Sequence, residues 1–374
     1  MSGHRAGIRF RLWARAFLLV LVYSSAALFA LCEFARWPGM SRNRLASVPA
    51  MVYGQAERPY VSRMLLPVVV RSIVELTPVW AKEDLASAVR QSLPQWDTLD
   101  WARNYPYEFF VVFLALWLTL VAFAFALRRL AGISLDLTAM PRDAVPILAL
   151  LALPCTYIYA SHIYDFPELL LFTLGLLTIA ERRWKLYWPV FVLAVLNKET
   201  AILLSLVWVM QARTQLTRAR FTSGLALQVV AWSSIRAGIV LLLRDNAGAM
   251  VLPHLARNLH VLTNPARFFL FRSIGAFPLV PCGLNILTLS GFAACLLMLR
   301  RVPVFLRHAF LGALPIVPAA MVFGYIDEIR AFYSLYPAVI LVLSYGAFLT
   351  LGYLPAEPVG NEAHRERDGV GPHS

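Results

Sequence analysis

A chain of 374 residues with 59% hydrophobic and only 15% charged residues does not have the composition of a soluble domain, which carries about 25% charge. The formal net charge of +13 does not mark a nucleic-acid reader, because the Lys and Arg residues are scattered through short polar stretches, with no basic stripe interleaved with aromatics. Apolar runs recur from end to end, and in hydrocarbon the backbone must satisfy itself, so the expected class is an all-α, polytopic transmembrane helical bundle.

The N-terminus has a basic lead (Arg5, Arg9, Arg11, Arg15) followed by an apolar run from Phe17 to Cys32. The run is long for a signal peptide and closes without a small-x-small cleavage site, so it reads as a retained first span over 12–34. Residues 35–104 then form a long outer loop with surface helices. In YVSRMLLPVVVRSIVEL (60–76), Arg63, Arg71 and Glu75 share roughly 120° of one helical face, with Arg71 and Glu75 spaced i,i+4. Such a helix lies along the membrane surface. AKEDLASAVRQSL (81–93) predicts a second.

Further spans are expected over 107–127, 144–161, 165–181, 186–197, 200–212, 222–243, 275–299, 309–325 and 332–353, which makes about ten in all. Residues 1–353 read as a single transmembrane domain. The polar tail 354–374 is too poor in apolar residues to fold alone and is expected to be disordered and cytoplasmic. Short loops placed inside each carry about three Lys or Arg, as the positive-inside rule asks, so both termini are expected in the cytoplasm. The four cysteines, Cys32, Cys155, Cys282 and Cys295, show no ligand or disulfide spacing and read as small buried hydrophobes.

The stretch FVLAVLNKETAILLSLVW (191–208) places Lys198 and Glu199 between two apolar runs. At a bilayer centre each would cost about 2.5–3.5 kcal/mol, and helical neighbours do not face each other. A short hairpin with NKET at its outer tip lowers that cost and keeps the flanking basic clusters inside.

Other polar clusters fall at the same level. Glu33 ends the first span. QAERPYVSR (55–63) supplies Arg58 and Arg63. ASHIYDFPE (160–168) supplies His162, Asp165 and Glu168. LPHLARNLH (252–260) supplies His254, Arg257, Asn258 and His260. GYIDEIR (324–330) supplies Asp327, Glu328 and Arg330. Each has a plain alternative. His254 and His260 suit an interface. Arg58, Arg63 and Arg71 suit lipid phosphates. Glu33 suits a helix end. Asp165, Pro167 and Glu168 suit N-cap, first turn and N3 of a helix. The NKET charges suit an ion pair with Asp165 or Arg330. Ionisable residues inside apolar runs are nonetheless functional by default.

The blocks RPYVSRMLLP, YDFPELL, LNKETA and DEIRAF, in this order, resemble those of a family of bacterial multi-pass membrane proteins. Its organisation is similar to that of GT-C-type glycosyltransferases, which use polyprenyl-phosphate-linked sugars. The resemblance implies a bacterial inner-membrane enzyme of the cell envelope, transferring sugar at the outer face. It implies Glu33 as the base near the start of the first outer loop, where the family often has two adjacent acids and this chain has Glu33 followed by Phe34. Asp165 and Glu168 match acids of the second outer loop. A carboxylate would deprotonate the acceptor hydroxyl, while Arg58, Arg63, Lys198 or Arg257 would stabilise the departing phosphate. Glu199, His254, Asn258, Asp327, Glu328 and Arg330 complete the expected substrate-binding set. No cofactor is implied: a divalent metal on Asp165, Glu168 or Asp327 has no supporting ligand spacing. The expected partners are membrane lipids and the lipid-linked sugar, and no nucleic acid. Two other readings stay open: a transporter of an anionic or lipidic solute, for which broken short spans are also used, and a non-catalytic membrane assembly protein.

Overall fold

Apolar runs become helices that travel back and forth between two ends of one bundle. A computed structural model describes residues 2–36, 40, 43–92, 104–159, 161–274 and 277–354. The expected tail therefore lies outside the described residues beyond Leu354, as do parts of the expected outer loop.

Helix α1 (Ser2–Phe34) runs to what we call the upper end. There α2 (Val48–Val52), α3 (Leu65–Leu76) and α4 (Val79–Ser92) follow in the first loop. Helix α5 (Pro106–Leu135) descends, with Pro106 in the first turn, where its missing N–H is not needed. Helix α6 (Ala139–Ala152) climbs back and continues as a 3-10 turn over Leu153–Thr156. Helix α7 (Asp165–Ala180) descends through the middle and is buried over almost its whole length.

Helices α8 (Trp184–Asn197) and α9 (Leu203–Ala212) are joined by a 3-10 turn over Glu199–Ile202. The ring of Trp184 lies 6.1 Å from that of Trp208, so the start of α8 and the end of α9 share one level and the two form a hairpin. Helix α10 (Arg218–Leu242) climbs beside it: Phe221 stacks on Trp208, and the Trp232 indole reaches the Glu199 carbonyl at 3.0 Å. Only Gln228 and Ile239 of α10 are buried among its described residues, so its apolar outer surface faces away from the bundle. Helix α11 (Leu255–Leu262) lies at the upper end. Helices α12 (Ile286–Met298), α13 (Val304–Ala313), α14 (Ile316–Phe323) and α15 (Tyr336–Thr350) complete the bundle. Gly312 lets α13 approach α9 closely: a Cβ there would sit 2.8 Å from the Val207 backbone nitrogen.

Among the described residues, five helical stretches are long and apolar enough to cross a bilayer: 13–34, 106–135, 139–156, 218–242 and 304–323. The other expected spans are shorter. At about 1.5 Å per residue, α8 extends roughly 21 Å against a ~30 Å hydrocarbon core. With their lower ends at one boundary, α7 and the α8–α9 hairpin place their upper ends below the other.

Four local expectations change. The run 275–299 is not one helix: Phe271–Ile274 (β1) and Phe277–Pro281 (β2) pair as an antiparallel ribbon, and α12 starts only at Ile286 behind an Asn285 capping box. Pro278 and Pro281 cannot occupy a helix interior, and Gly283 turns the chain with φ +60°. The expected span 309–325 begins at Val304 and is interrupted at Leu314–Pro315. Arg71 and Glu75 do pair on α3, at 2.7 Å, but Arg63 precedes that helix and is not on its face. Finally, Tyr164 rather than Asp165 occupies the cap position of α7, and no side chain caps it.

Candidate functional site

The upper ends of α7, the α8–α9 hairpin and the turn before α15 meet in one ionic layer. Its centre is two buried contacts, Lys198–Glu168 and Arg330–Asp165, flanked by partly exposed pairs on Glu199 and Glu328. Lys198 Nζ lies 2.6 Å from Glu168 Oε2, and the Thr200 hydroxyl donates to the other oxygen at 2.9 Å. Arg330 donates from Nη1 to Asp165 Oδ2 at 2.9 Å and from Nε to Glu328 at 2.6 Å. Arg63 donates to Glu199 at 3.0 Å and to the Tyr164 hydroxyl, with its guanidinium over the Tyr164 ring. Arg236, from within α10, approaches Glu199 at 3.7 Å and donates to the Ser62 hydroxyl at 3.2 Å.

The local sequence explains this placement. Starting α7 at Asp165 puts Asp165 and Glu168 one helical turn apart, on one face. Their carboxylates turn to Arg330 and Lys198 rather than to the helix amides. Ending α8 at Asn197 puts Lys198 in extended backbone (φ −159°, ψ 145°), so Lys198 and Glu199 point to different partners. Asn197 ties the tip to the Tyr164 carbonyl at 3.0 Å, and Met64 N donates to Leu196 O at 3.1 Å.

His162 sits among these charges. It is 5% exposed, stacks on Tyr164 at 5.1 Å, and its Nδ1 has no partner among the described residues. Burial first, then the charges of Arg330, Arg63 and Lys198, hold its pKa well below the usual histidine value. Arg63 shows the reverse balance: burial opposes its charge, but Glu199 and Tyr164 outweigh it and raise its pKa.

A second group flanks the layer. Arg257 lies over the Tyr325 ring, 3.6 Å from its centroid, and donates to the Tyr159 hydroxyl at 3.0 Å. Tyr159 in turn donates to Asp327, which Arg267 approaches at 3.8 Å. The His254 ring is 4.3 Å from that of Tyr325. Asn258 is buried and turned inward: Nδ2 donates to the carbonyls of Ala320, Met321 and Gly324, and Oδ1 accepts from Ile326 N. Its amide is consumed in holding α11 to the last turn of α14 and the chain just after it.

Glu33 stands at the top of α1, where the Ser161 hydroxyl donates to the Phe34 carbonyl at 2.8 Å and the Phe34 ring packs on Phe166. Glu33 is buried and makes no ion pair within 4.0 Å among the described residues. Arg58 is on the first loop with its Nε buried and without a partner among the described residues.

Sequence reasoning missed Arg236, Tyr164, Tyr159, Arg267 and Arg272. Arg236 carried a signal, since an arginine inside an apolar span is unusual. The others are polar groups whose roles depend on contacts across the fold. Among the described residues, no group of three or more His, Cys, Asp or Glu side chains is placed to hold a metal ion. The chain matches no protein-family model, no curated protein and no solved structure.

Proposed function

We propose that this protein is an integral-membrane transferase of the GT-C kind, which takes a sugar from a polyprenyl-phosphate donor at the upper end, the outer face of the inner membrane. In this reading Glu33 is the base that accepts the acceptor's hydroxyl proton. Asp165 and Glu168, each fixed in a buried pair, position the loop beside it rather than exchange protons. Arg58, Arg257 and Arg272 face the departing phosphate.

The observation that carries the reading is Glu33 itself. Of the candidate acids it is the one, among the described residues, without an ion-pair partner, and it sits one residue from the Phe34–Ser161 contact that joins α1 to the polar layer. The test is transfer of radiolabelled sugar from a polyprenyl phosphate by the purified full-length protein. Glu33→Gln should lower the rate by at least 100-fold, in line with loss of a general base, with an unchanged melting transition. Full activity in that variant would overturn the proposal.

A specific observation favours a second reading, a non-catalytic assembly protein. The inner layer's four cations (Arg63, Lys198, Arg236, Arg330) meet four acids (Asp165, Glu168, Glu199, Glu328), so the layer is neutralised from within.

A further inference from the structure

At the opposite, lower end the charges do not cancel. Arg15 and Arg128 both bind Asp143, the latter at 2.6 Å, while Arg129 and Arg183 both bind Glu181, the latter at 2.9 Å. Arg142 joins them without an acid of its own. Five arginines thus share two carboxylates among the described side chains.

Three of the five, Arg128, Arg129 and Arg142, line an open cleft of about 500 Å³ between α5, α6 and the end of α7, together with Glu181 and with Phe125 and Ile133 as apolar walls. Arg142 is placed here by Gly132. A Cβ at that position would lie 2.8 Å from Arg142 Cδ, so the arginine stem lies flat on α5 only because position 132 has no side chain. Its Nε is buried and has no partner among the described residues. A buried guanidinium donor left unpaired beside an open, positively charged cleft is a place for an acceptor oxygen.

We propose that this cleft binds the phosphate of an anionic diacyl phospholipid from the leaflet at the lower end. A lipid fits better than a free anion for two reasons. Helix α5 has 30 residues, about 45 Å, so its lower part from Arg128 onward stands at headgroup depth when the apolar part fills a ~30 Å core. Ile133, 47% exposed, and the Phe125 wall offer the apolar surface an acyl chain would cover. Basic pockets between spans are the usual form of such sites. The guanidiniums of Arg129 and Arg142 would donate to the phosphate, and Arg128 would add its charge while staying on Asp143.

The test uses the full-length protein in nanodiscs of phosphatidylcholine containing a minor share of phosphatidylglycerol, with retained lipid read by native mass spectrometry. The wild type should retain phosphatidylglycerol over phosphatidylcholine. Arg142→Gln should lower that preference roughly fivefold, the equivalent of about 1 kcal/mol per cation. Gly132→Leu should lower it too, by displacing Arg142 without changing any charge. Should Arg142→Gln fail to fold, Ile133→Glu, at an exposed position, provides the same test by repelling the headgroup. Arg213→Gln, at the same end but off the cleft, should leave the preference intact. An unchanged preference in Arg142→Gln and Gly132→Leu would overturn the proposal, as would equal competition by millimolar inorganic phosphate, which would mark a free-anion site.

Discussion

Lys198 and Glu168 meet at 2.6 Å at the tip of the α8–α9 hairpin, each under 10% exposed, while the sequence neighbour Glu199 turns away to Arg63. A charge from the middle of an apolar run is thus matched by one from the first turn of another helix. Because both are desolvated, the pair's worth lies in what its rupture would leave behind. Lys198→Met should destabilise the protein by about 3–5 kcal/mol, by leaving Glu168 buried and alone. The double variant Lys198→Met/Glu168→Leu should recover most of that loss. Thermal unfolding in detergent measures both; equal losses in single and double variants would contradict this account.

His162 makes stability depend on pH. Burial and its three cationic neighbours hold its pKa well below the ordinary value. Below about pH 6.5 the unfolded chain therefore takes up a proton that the folded protein refuses. Its contribution is fully present above that pH and declines as the pH falls, by up to about 1.4 kcal/mol per unit. His162→Phe should remove this share of the slope between roughly pH 6.5 and 5, measured as the difference between the two melting profiles.

Asn258 works as a bracket, with three carbonyls and one amide on a single side chain. Asn258→Ala should cost about 2–4 kcal/mol, since the Ile326 amide and buried carbonyls lose their partner. Hydrogen exchange should localise the effect to 320–326. Asn258→Asp, which cannot donate, should fail to rescue it.

The two ends carry opposite expectations for accessibility. The proposed function puts the lower end in the cytoplasm; on that proposal a cysteine replacing the exposed Leu252 should react with an impermeant thiol reagent applied to spheroplasts. A cysteine at the exposed Thr214 should react only after permeabilisation. The exposed native Cys32 must first be replaced by serine. The reverse labelling pattern would place the ionic layer on the inner side.

The helical plan and its polar turns were legible because periodicity and charge speak directly to burial. Asp165 at the start of α7 and NKET between two short helices could be read from single stretches. The partner of Lys198 could not, because pairing across thirty residues depends on how α7 and α8 pack. The β1–β2 ribbon was hidden in an apolar run, and over so short a length composition does not separate strand from helix; Pro278 and Pro281 were the available signal. Periodicity puts Arg63 on the α3 face, but the chain enters that helix only at Leu65, and the preceding Tyr60–Ser62 form a 3-10 turn. The lower cleft was illegible for another reason: Arg128 and Arg129 look like ordinary topology markers until Gly132 shows where Arg142 lies.

The internal neutrality of the upper layer sets a rule for anything negative that would enter it. Asp165, Glu168, Lys198 and Arg330 are buried and already paired, so an extra anion cannot simply be added beside them. It must displace a carboxylate from Arg63, Lys198 or Arg330, or arrive together with a proton taken by one of those acids. Anion occupancy there is therefore an exchange, and its affinity should rise in more acidic solution.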